Sequence, residues 1–388
     1  MERTSLAIVA DENIPRVEEL FRGCGGLKLL PGRAIDAASL ARADILLVRS
    51  VTRVNSDLLQ QSPVRFVGSA TSGTDHVDIE YLQRRGIGFR HAPGCNARSV
   101  AEYVLAALLA LRQAGRRDLS GKRALVIGCG NAGSMTRTLL EAAGIECRAH
   151  DPPLAERTGN PEYLNVEAMQ TADIISLHVP LSDSGPHPTR DMIDAGFLAG
   201  VRPDVVLINT ARGEVIDDDA LLEFLAACPG ARVVLDVWRD EPRINPALLA
   251  KVSIGTPHIA GYSQDGRILA TRMINAGLCE FFGLNTEVNL PLSKSDAGRE
   301  LRIHVSGDYI AVMQAAVAAV YDILHDNHNL KKLLDRDPRD RAACFDDLRK
   351  NYRMRREFPS LRIDLATADP DPDLRRSLAG LGFQVALT

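Results

Sequence analysis

Between Arg123 and Asp151 the chain reads RALVIGCGNAGSMTRTLLEAAGIECRAHD, a stretch that permits few folds. An apolar run is followed by Gly128, Gly130 and Gly133 in GxGxxG spacing, then by a helical pattern, then by a second apolar run ending in an acid. This order predicts a strand–turn–helix–strand unit of the dinucleotide-binding kind. The glycines let the backbone turn tightly and come close to a pyrophosphate, which would rest on the N–H groups of the helix start. Gly128, Gly130, Asn131, Ala132 and Gly133 are therefore the candidate cofactor loop. Asp151, 18 positions beyond Gly133, is the candidate partner of the adenosine ribose. A carboxylate there repels a 2′-phosphate, and the prolines that follow it bring no basic residue, so NAD is expected rather than NADP. Cys129 reads as a small, reduced side chain within the loop.

That unit is one part of a longer alternation. The chain has 388 residues, enough for two or three domains. SLAIVAD, DILLVRS, VRFVGSA and IGFRHAP read as buried parallel strands, with IPRVEELFRG, AASLARA, NSDLLQQ and IEYLQRRG as the helices between them. A long helix from Ala97 to Ala114 is apolar on more than one side and should lie buried between two bodies. A second series then runs through RALVIG, IECRAHD, ADIISLHVP, DVVLINTARG, RVVLDVW and VSIGTPH. The helical pattern after His258 would rejoin the first domain. LNTEVNLPLSKSDAG reads as a linker. Beyond it come a strand, ELRIHVSG, helices over Asp308–Arg336 and Arg339–Phe358, and a closing strand–helix–strand. The fold class is α/β, with a small C-terminal α+β unit.

Several function classes drop out on composition. A net charge of −4 gives no general electrostatic attraction for nucleic acid. Seven cysteines without CxxC pairing point to a reducing compartment and away from disulfides or a structural zinc site, so no metal is expected. MERTSLAIVADENIP lacks the apolar region of a signal peptide, and no run approaches the ~18 apolar residues of a membrane span. A cytoplasmic protein without membrane contact is expected.

Three strand ends carry polar residues that could share one cleft. INTARG supplies Arg212, LDVWRDEP supplies Asp236 and Glu241, and GTPHIAG supplies His258. In an open α/β sheet, ligands gather at the carboxyl ends of the strands. Arginine can clamp a carboxylate through two parallel hydrogen bonds. Histidine can take the proton of a hydroxyl, with a carboxylate behind it fixing the tautomer. With a nicotinamide, these parts suffice to oxidise a 2-hydroxy acid.

The set GxGxxG…D, INTARG, LDVW…EP and PHIAG, over residues 1 to about 285, resembles the D-isomer-specific 2-hydroxyacid dehydrogenase family. The resemblance implies that Arg212, Glu241 and His258 are catalytic. It also implies a Rossmann NAD-binding domain (97–257) inserted in a flavodoxin-like substrate domain (1–96 and 258–286), leaving 287–388 as a C-terminal dimerisation domain. GSATSGTDHVD resembles the family's substrate-side loop, with Asp75, His76 and Asp78 as loop structure rather than metal ligands.

DENIP, VRSVT, APGCNA, HIAGY and LRKNYRMRREF are similar to one branch of that family, whose substrate is a phosphorylated four-carbon 2-hydroxy acid on a route to pyridoxal phosphate. That likeness implies substrate contacts at Ser50, Thr71 and Tyr262, and cofactor contacts at Asp151, Val179, Asp236 and Gly261. A contact at Val179 would have to run through backbone. Ser134 stands where many relatives carry arginine. The basic run Arg349, Lys350, Arg353, Arg355, Arg356 is expected on a solvated or intersubunit surface, and a homodimer is implied. A 3-phosphoglycerate dehydrogenase-like enzyme and an NADH-sensing corepressor-type module remain the alternatives.

Overall fold

The computed structural model describes residues 6–113, 121–164, 167–284, 300–303, 309–353, 355–365 and 372–387. The expected linker beyond Leu284 and the segments around Asp308 and Met354 lie outside the described residues. The chain forms two compact units, Met1–Asn96 with Ser263–Ala297, and Ala97–Tyr262 with Gly298–Thr388.

The first unit is built on β1 (Leu6–Asp11), β2 (Gly25–Leu30), β3 (Ile45–Val48), β4 (Phe66–Ser69) and β5 (Gly88–Arg90). All neighbours are parallel, in the order β2-β1-β3-β4-β5 that defines a flavodoxin-like sheet. The strand β2 escapes a reading by apolar runs because it is a half-exposed edge, with Lys28 in its middle. AASLARA does not form the expected helix. Asp36 and Ser39 bond to one another's backbone, and the segment closes only i→i+3 turns. The helix Gln264–Phe282 belongs to this unit, burying Ile274, Leu278 and Cys279 with Phe21 and Phe66.

The second unit carries β6 (Arg123–Ile127), β7 (Glu146–His150), β8 (Ile174–Leu177), β9 (Val206–Asn209), β10 (Arg232–Leu235) and β11 (Ile254–Gly255). They form a parallel sheet in the order β11-β10-β9-β8-β6-β7. β6 lies between β7 and β8, so the strand order reverses beside it and opens a crevice at its carboxyl end. A smaller parallel sheet of β12 (Glu300–Ile303), β13 (Arg362–Leu365) and β14 (Gln384–Leu387) completes the unit.

The C-terminal helices differ from the expected two. The first breaks at Tyr321–Asp322 into Tyr309–Val320 and Ile323–Lys331, because the Asp322 carboxylate caps the new helix by accepting from His325 N at 3.1 Å. The second, Arg341–Lys350, stops well short of Phe358.

The helix Ala97–Gln113 is buried from Val100 to Leu111. One side meets Val206, Ile208, Val234 and Ile254 of the sheet. Another meets Val312, Met313, Ala316, Val317 and Tyr321 of the C-terminal segment. Each fully buried aliphatic side chain contributes about 1.5–3 kcal/mol. The apolar residues of the helix Tyr309–Val320 are thus largely covered within the unit, with Val320 half-buried and the Ile310 side chain outside the described residues.

Candidate active site

At the end of β6, Gly128 adopts φ 85°, a conformation that favours glycine. A Cβ there would also meet the His178 carbonyl at 2.9 Å and Val179 Cγ1 at 2.9 Å. A Cβ on Gly133 would collide with the Gly128 carbonyl oxygen, so the helix Asn131–Ala142 can seat on β6 only without one. Space beside Gly130 is open. The loop therefore fits a dinucleotide: a bare backbone, a vacant flank and the N-terminus of a 12-residue helix. Asp151 follows β7 and already holds this loop. Its Oδ2 accepts from Cys129 N at 2.6 Å and its Oδ1 from Leu154 N at 2.9 Å. Ser134 turns its hydroxyl back to the Cys129 carbonyl at 2.8 Å. Burial, then the Asp151 charge, pushes the Cys129 thiol up to about 11, so it stays protonated. Across the crevice, burial pushes His178 down to about 3. This neutral ring bonds to Ser176 at 2.9 Å and Thr210 at 3.2 Å.

Arg212 follows β9. Asn209 brackets its turn, accepting from Ala211 N at 2.9 Å and donating to the Arg212 carbonyl at 2.9 Å. Gly213 packs directly on the backbone of Trp238, and any side chain there would collide with it. That contact joins the arginine turn to the end of β10, whose next residues supply the carboxylates.

Asp236 is fully buried, and its carboxylate organises the loop after β11. Oδ1 accepts from the Thr256 hydroxyl at 2.6 Å and from Ile259 N at 2.7 Å, and Oδ2 accepts from Ala260 N at 2.9 Å. Burial pushes this carboxyl up, and the His258 charge and these donors oppose the rise. Gly261, one residue further, is half-buried in the turn. His258 N donates to the Asp236 carbonyl at 2.7 Å, holding the histidine at φ 57° in the left-handed region. A non-glycine residue there is strained, a condition that persists only where the surroundings enforce it. His258 Nδ1 lies 2.8 Å from Glu241 Oε2, and Glu241 Oε1 accepts from Trp238 N at 2.9 Å. Burial alone would raise the Glu241 carboxyl, but the His258 charge and hydrogen bond, Trp238 N–H and Arg349 bring it below the ordinary value. The imidazole is thus oriented, a third exposed, with Nε2 on the side away from Glu241.

The C-terminal tail corrects one expectation. Lys350 and Arg353 are exposed, but Arg355 is buried and Arg349 reaches the Glu241–His258 pair. Arg355 donates to the carbonyls of Ser99 (2.9 Å) and Ala260, its guanidinium 4.1 Å above the Tyr321 ring. Arg349 donates to the Tyr262 hydroxyl at 3.3 Å, and the Tyr262 ring stands edge-on to Tyr352 at 5.8 Å. The one available signal was Tyr352, which the expected helix would have set beside Arg349, although the helix ends at Lys350.

Ser50 and Thr71 belong to the first unit, just beyond β3 and β4. Ser50 is exposed. The Thr71 hydroxyl bonds to Ser69 at 2.7 Å and to the Gly73 carbonyl at 2.7 Å. His76 bonds to Ser69 at 2.9 Å, and Asp78 caps the helix Ile79–Arg84 through Tyr81 N. Arg49, beside Ser50, pairs with the buried Asp11 at 2.9 Å, a link the sequence reading did not include.

This constellation is that of an NAD-dependent 2-hydroxyacid dehydrogenase, and comparison with known proteins agrees. The family model for the D-isomer specific 2-hydroxyacid dehydrogenase NAD-binding domain matches residues 101–260, and one described only as a domain of unknown function (DUF3410) matches 296–382. Erythronate-4-phosphate dehydrogenase of Chromohalobacter salexigens is 42% identical over 99% of this chain and 100% of its own. The protein of that name from Hahella chejuensis is 42% identical over 98% of this chain and 100% of its own. The crystal structure of NAD+-bound 3-phosphoglycerate dehydrogenase from Entamoeba histolytica superposes with a TM-score of 0.62 at 22% identity, covering 75% of this chain and 99% of its own. The chain belongs to the D-isomer-specific 2-hydroxyacid dehydrogenases and, within them, to the erythronate-4-phosphate dehydrogenase family.

Proposed function

We propose that this chain oxidises 4-phospho-D-erythronate at its C2 hydroxyl to 3-hydroxy-2-oxo-4-phosphobutanoate, with NAD as acceptor, on a route to pyridoxal phosphate. The observation that carries the substrate is the likeness to relatives of that name over 99% of the chain, C-terminal segment included. Bound NAD supplies the acceptor for the hydride that leaves C2. Arg212 holds the substrate carboxylate through charge-assisted hydrogen bonds. Glu241 fixes the Nδ1–H tautomer of His258, so Nε2 takes the hydroxyl proton as the C2 hydride departs, and the resulting imidazolium is stabilised by the same carboxylate. Asp236 supports this chemistry by fixing the backbone on which His258 sits, in addition to its proposed place beside the cofactor. Gly261 and Val179 keep proposed cofactor contacts, and Ser50, Thr71 and Tyr262 keep proposed substrate contacts.

Turnover of 4-phosphoerythronate and 3-phosphoglycerate, with and without an added 2-oxo acid as acceptor, tests the reading. Faster turnover of 3-phosphoglycerate replaces the substrate. Tight NADH binding with neither acid oxidised favours the corepressor-type module.

We also propose a cytoplasmic homodimer. All seven thiols are free, which suits a reducing compartment, and among the described residues no helix is long and apolar enough to cross a membrane. For the dimer, the support is the exposed side of the helix Tyr309–Val320, where Ala311, Ala315, Ala318 and Ala319 would let a second copy approach closely, with Leu324 exposed just beyond. Light scattering should find a dimer that Ala315→Arg dissociates. A monomeric wild type, or an undisturbed dimer in the variant, places the contact elsewhere or removes it.

A further inference from the structure

We propose that Arg349, supplied by the C-terminal segment, is a positioning residue of the catalytic site: its charge offsets that of Glu241 and keeps His258 available as a base. The proposal rests on the role given to His258 above. Arg349 lies in the last turn of the helix Arg341–Lys350, its side chain only 25% exposed. Nη1 is 3.9 Å from Glu241 Oε2, the oxygen that also lies 2.8 Å from His258 Nδ1. Nη2 donates to Tyr262, and among the described residues the buried Nε has no hydrogen-bond partner. Arg355, beyond the end of that helix, fixes the neighbouring Ala260 carbonyl. The C-terminal segment therefore grips the His258 loop at two points and brings one cation to the catalytic carboxylate.

The chemistry needs such a cation. A carboxylate hydrogen-bonded to Nδ1 favours the imidazolium, which cannot accept a proton from a hydroxyl. Glu241 and Asp236, from the segment after β10, bond to His258, Tyr262 stands in the same loop, Arg349 comes from the C-terminal helix and Arg212 from the turn after β9. Glu241 and Asp236 bring negative charge to this loop, and Arg349 brings the positive charge that offsets it. Arginine suits the role because its guanidinium stays charged when partly buried.

The test compares Arg349→Gln, which keeps a donor for Tyr262 but loses the charge, with Arg349→Lys, which keeps the charge. Two readouts are taken on the full-length protein. One is the pH profile of kcat/KM for 4-phosphoerythronate oxidation. The other is the titration of the His258 imidazole by NMR on 15N-histidine protein, assigned by the signal missing from His258→Gln. The Gln variant should move both midpoints upward by roughly 0.5–1 pH unit, while the Lys variant stays close to wild type. Unmoved midpoints in the Gln variant overturn the proposal, and so does an equal displacement in both variants. The NMR titration needs no substrate. A moved midpoint in a protein that oxidises neither acid would uphold the role of Arg349 and refute the proposed function instead.

Discussion

The hydroxyls of Tyr103 and Thr256 lie 2.7 Å apart, and their proton order is fixed by what stands behind them. Thr256 donates its one hydrogen to the Asp236 carboxylate at 2.6 Å, so Tyr103 must donate to Thr256. The buried helix Ala97–Gln113 is thereby linked, through two hydroxyls, to the carboxylate that holds the His258 loop. Tyr103→Phe removes the outermost donor and should cost about 0.5–1.5 kcal/mol, read as a lower denaturation midpoint at unchanged m value. An unchanged midpoint would mean that the chain of hydroxyls contributes nothing to stability.

His258→Gln keeps a polar side chain but no base, and kcat should fall by roughly 10²–10⁴ with NAD affinity preserved. Arg212→Ala should weaken substrate binding by about 1.5–3 kcal/mol, the worth of a charge-assisted hydrogen bond, and act mainly on KM. Steady-state kinetics beside a direct NAD titration separate the two effects. Near-normal turnover in His258→Gln would end the proposed mechanism.

Asp151, the proposed ribose partner, also has an architectural task, because its carboxylate binds Cys129 N and Leu154 N. Asp151→Ser should narrow the preference for NAD over NADP while retaining much of the helix cap. Equal use of the two cofactors by the wild type would remove the ribose assignment.

Glu241 lies below the ordinary carboxyl value in the folded chain, so it stabilises the fold above the unfolded value of about 4.3, and this contribution is lost as pH falls through the folded value. Glu241→Gln should therefore be destabilised most near neutrality, and the gap to wild type should shrink in acid. Parallel stability curves for the two proteins between neutral and acid pH would contradict this.

The glycine turn and the placement of the polar residues at strand ends were legible in the sequence because their signals are local. GxGxxG between a strand and a helix, an acid after the next strand and INTARG each work within a few residues. The tail was less legible. Arg355 binds the carbonyl of Ser99, 256 positions away, and no periodicity carries information over that span. An arginine-rich helix was expected at a surface, whereas Tyr262, Tyr321 and the Ala260 carbonyl receive it indoors. The edge strand β2 was missed for the opposite reason: half-exposed, it lacks the apolar run that marks a central strand.

The core shared by the helix Ala97–Gln113 and the C-terminal helices has a consequence during synthesis. Val104 and Leu108 leave the ribosome roughly 200 residues before Val312 and Met313, their companions in that core. At about 5–20 residues per second, the nascent nucleotide-binding region waits some 10–40 s with that face uncovered. Over that interval the apolar face of the helix lacks its C-terminal partners. That core is therefore completed only once the segment around Val312 and Met313 has been made, long after the sheet beside it.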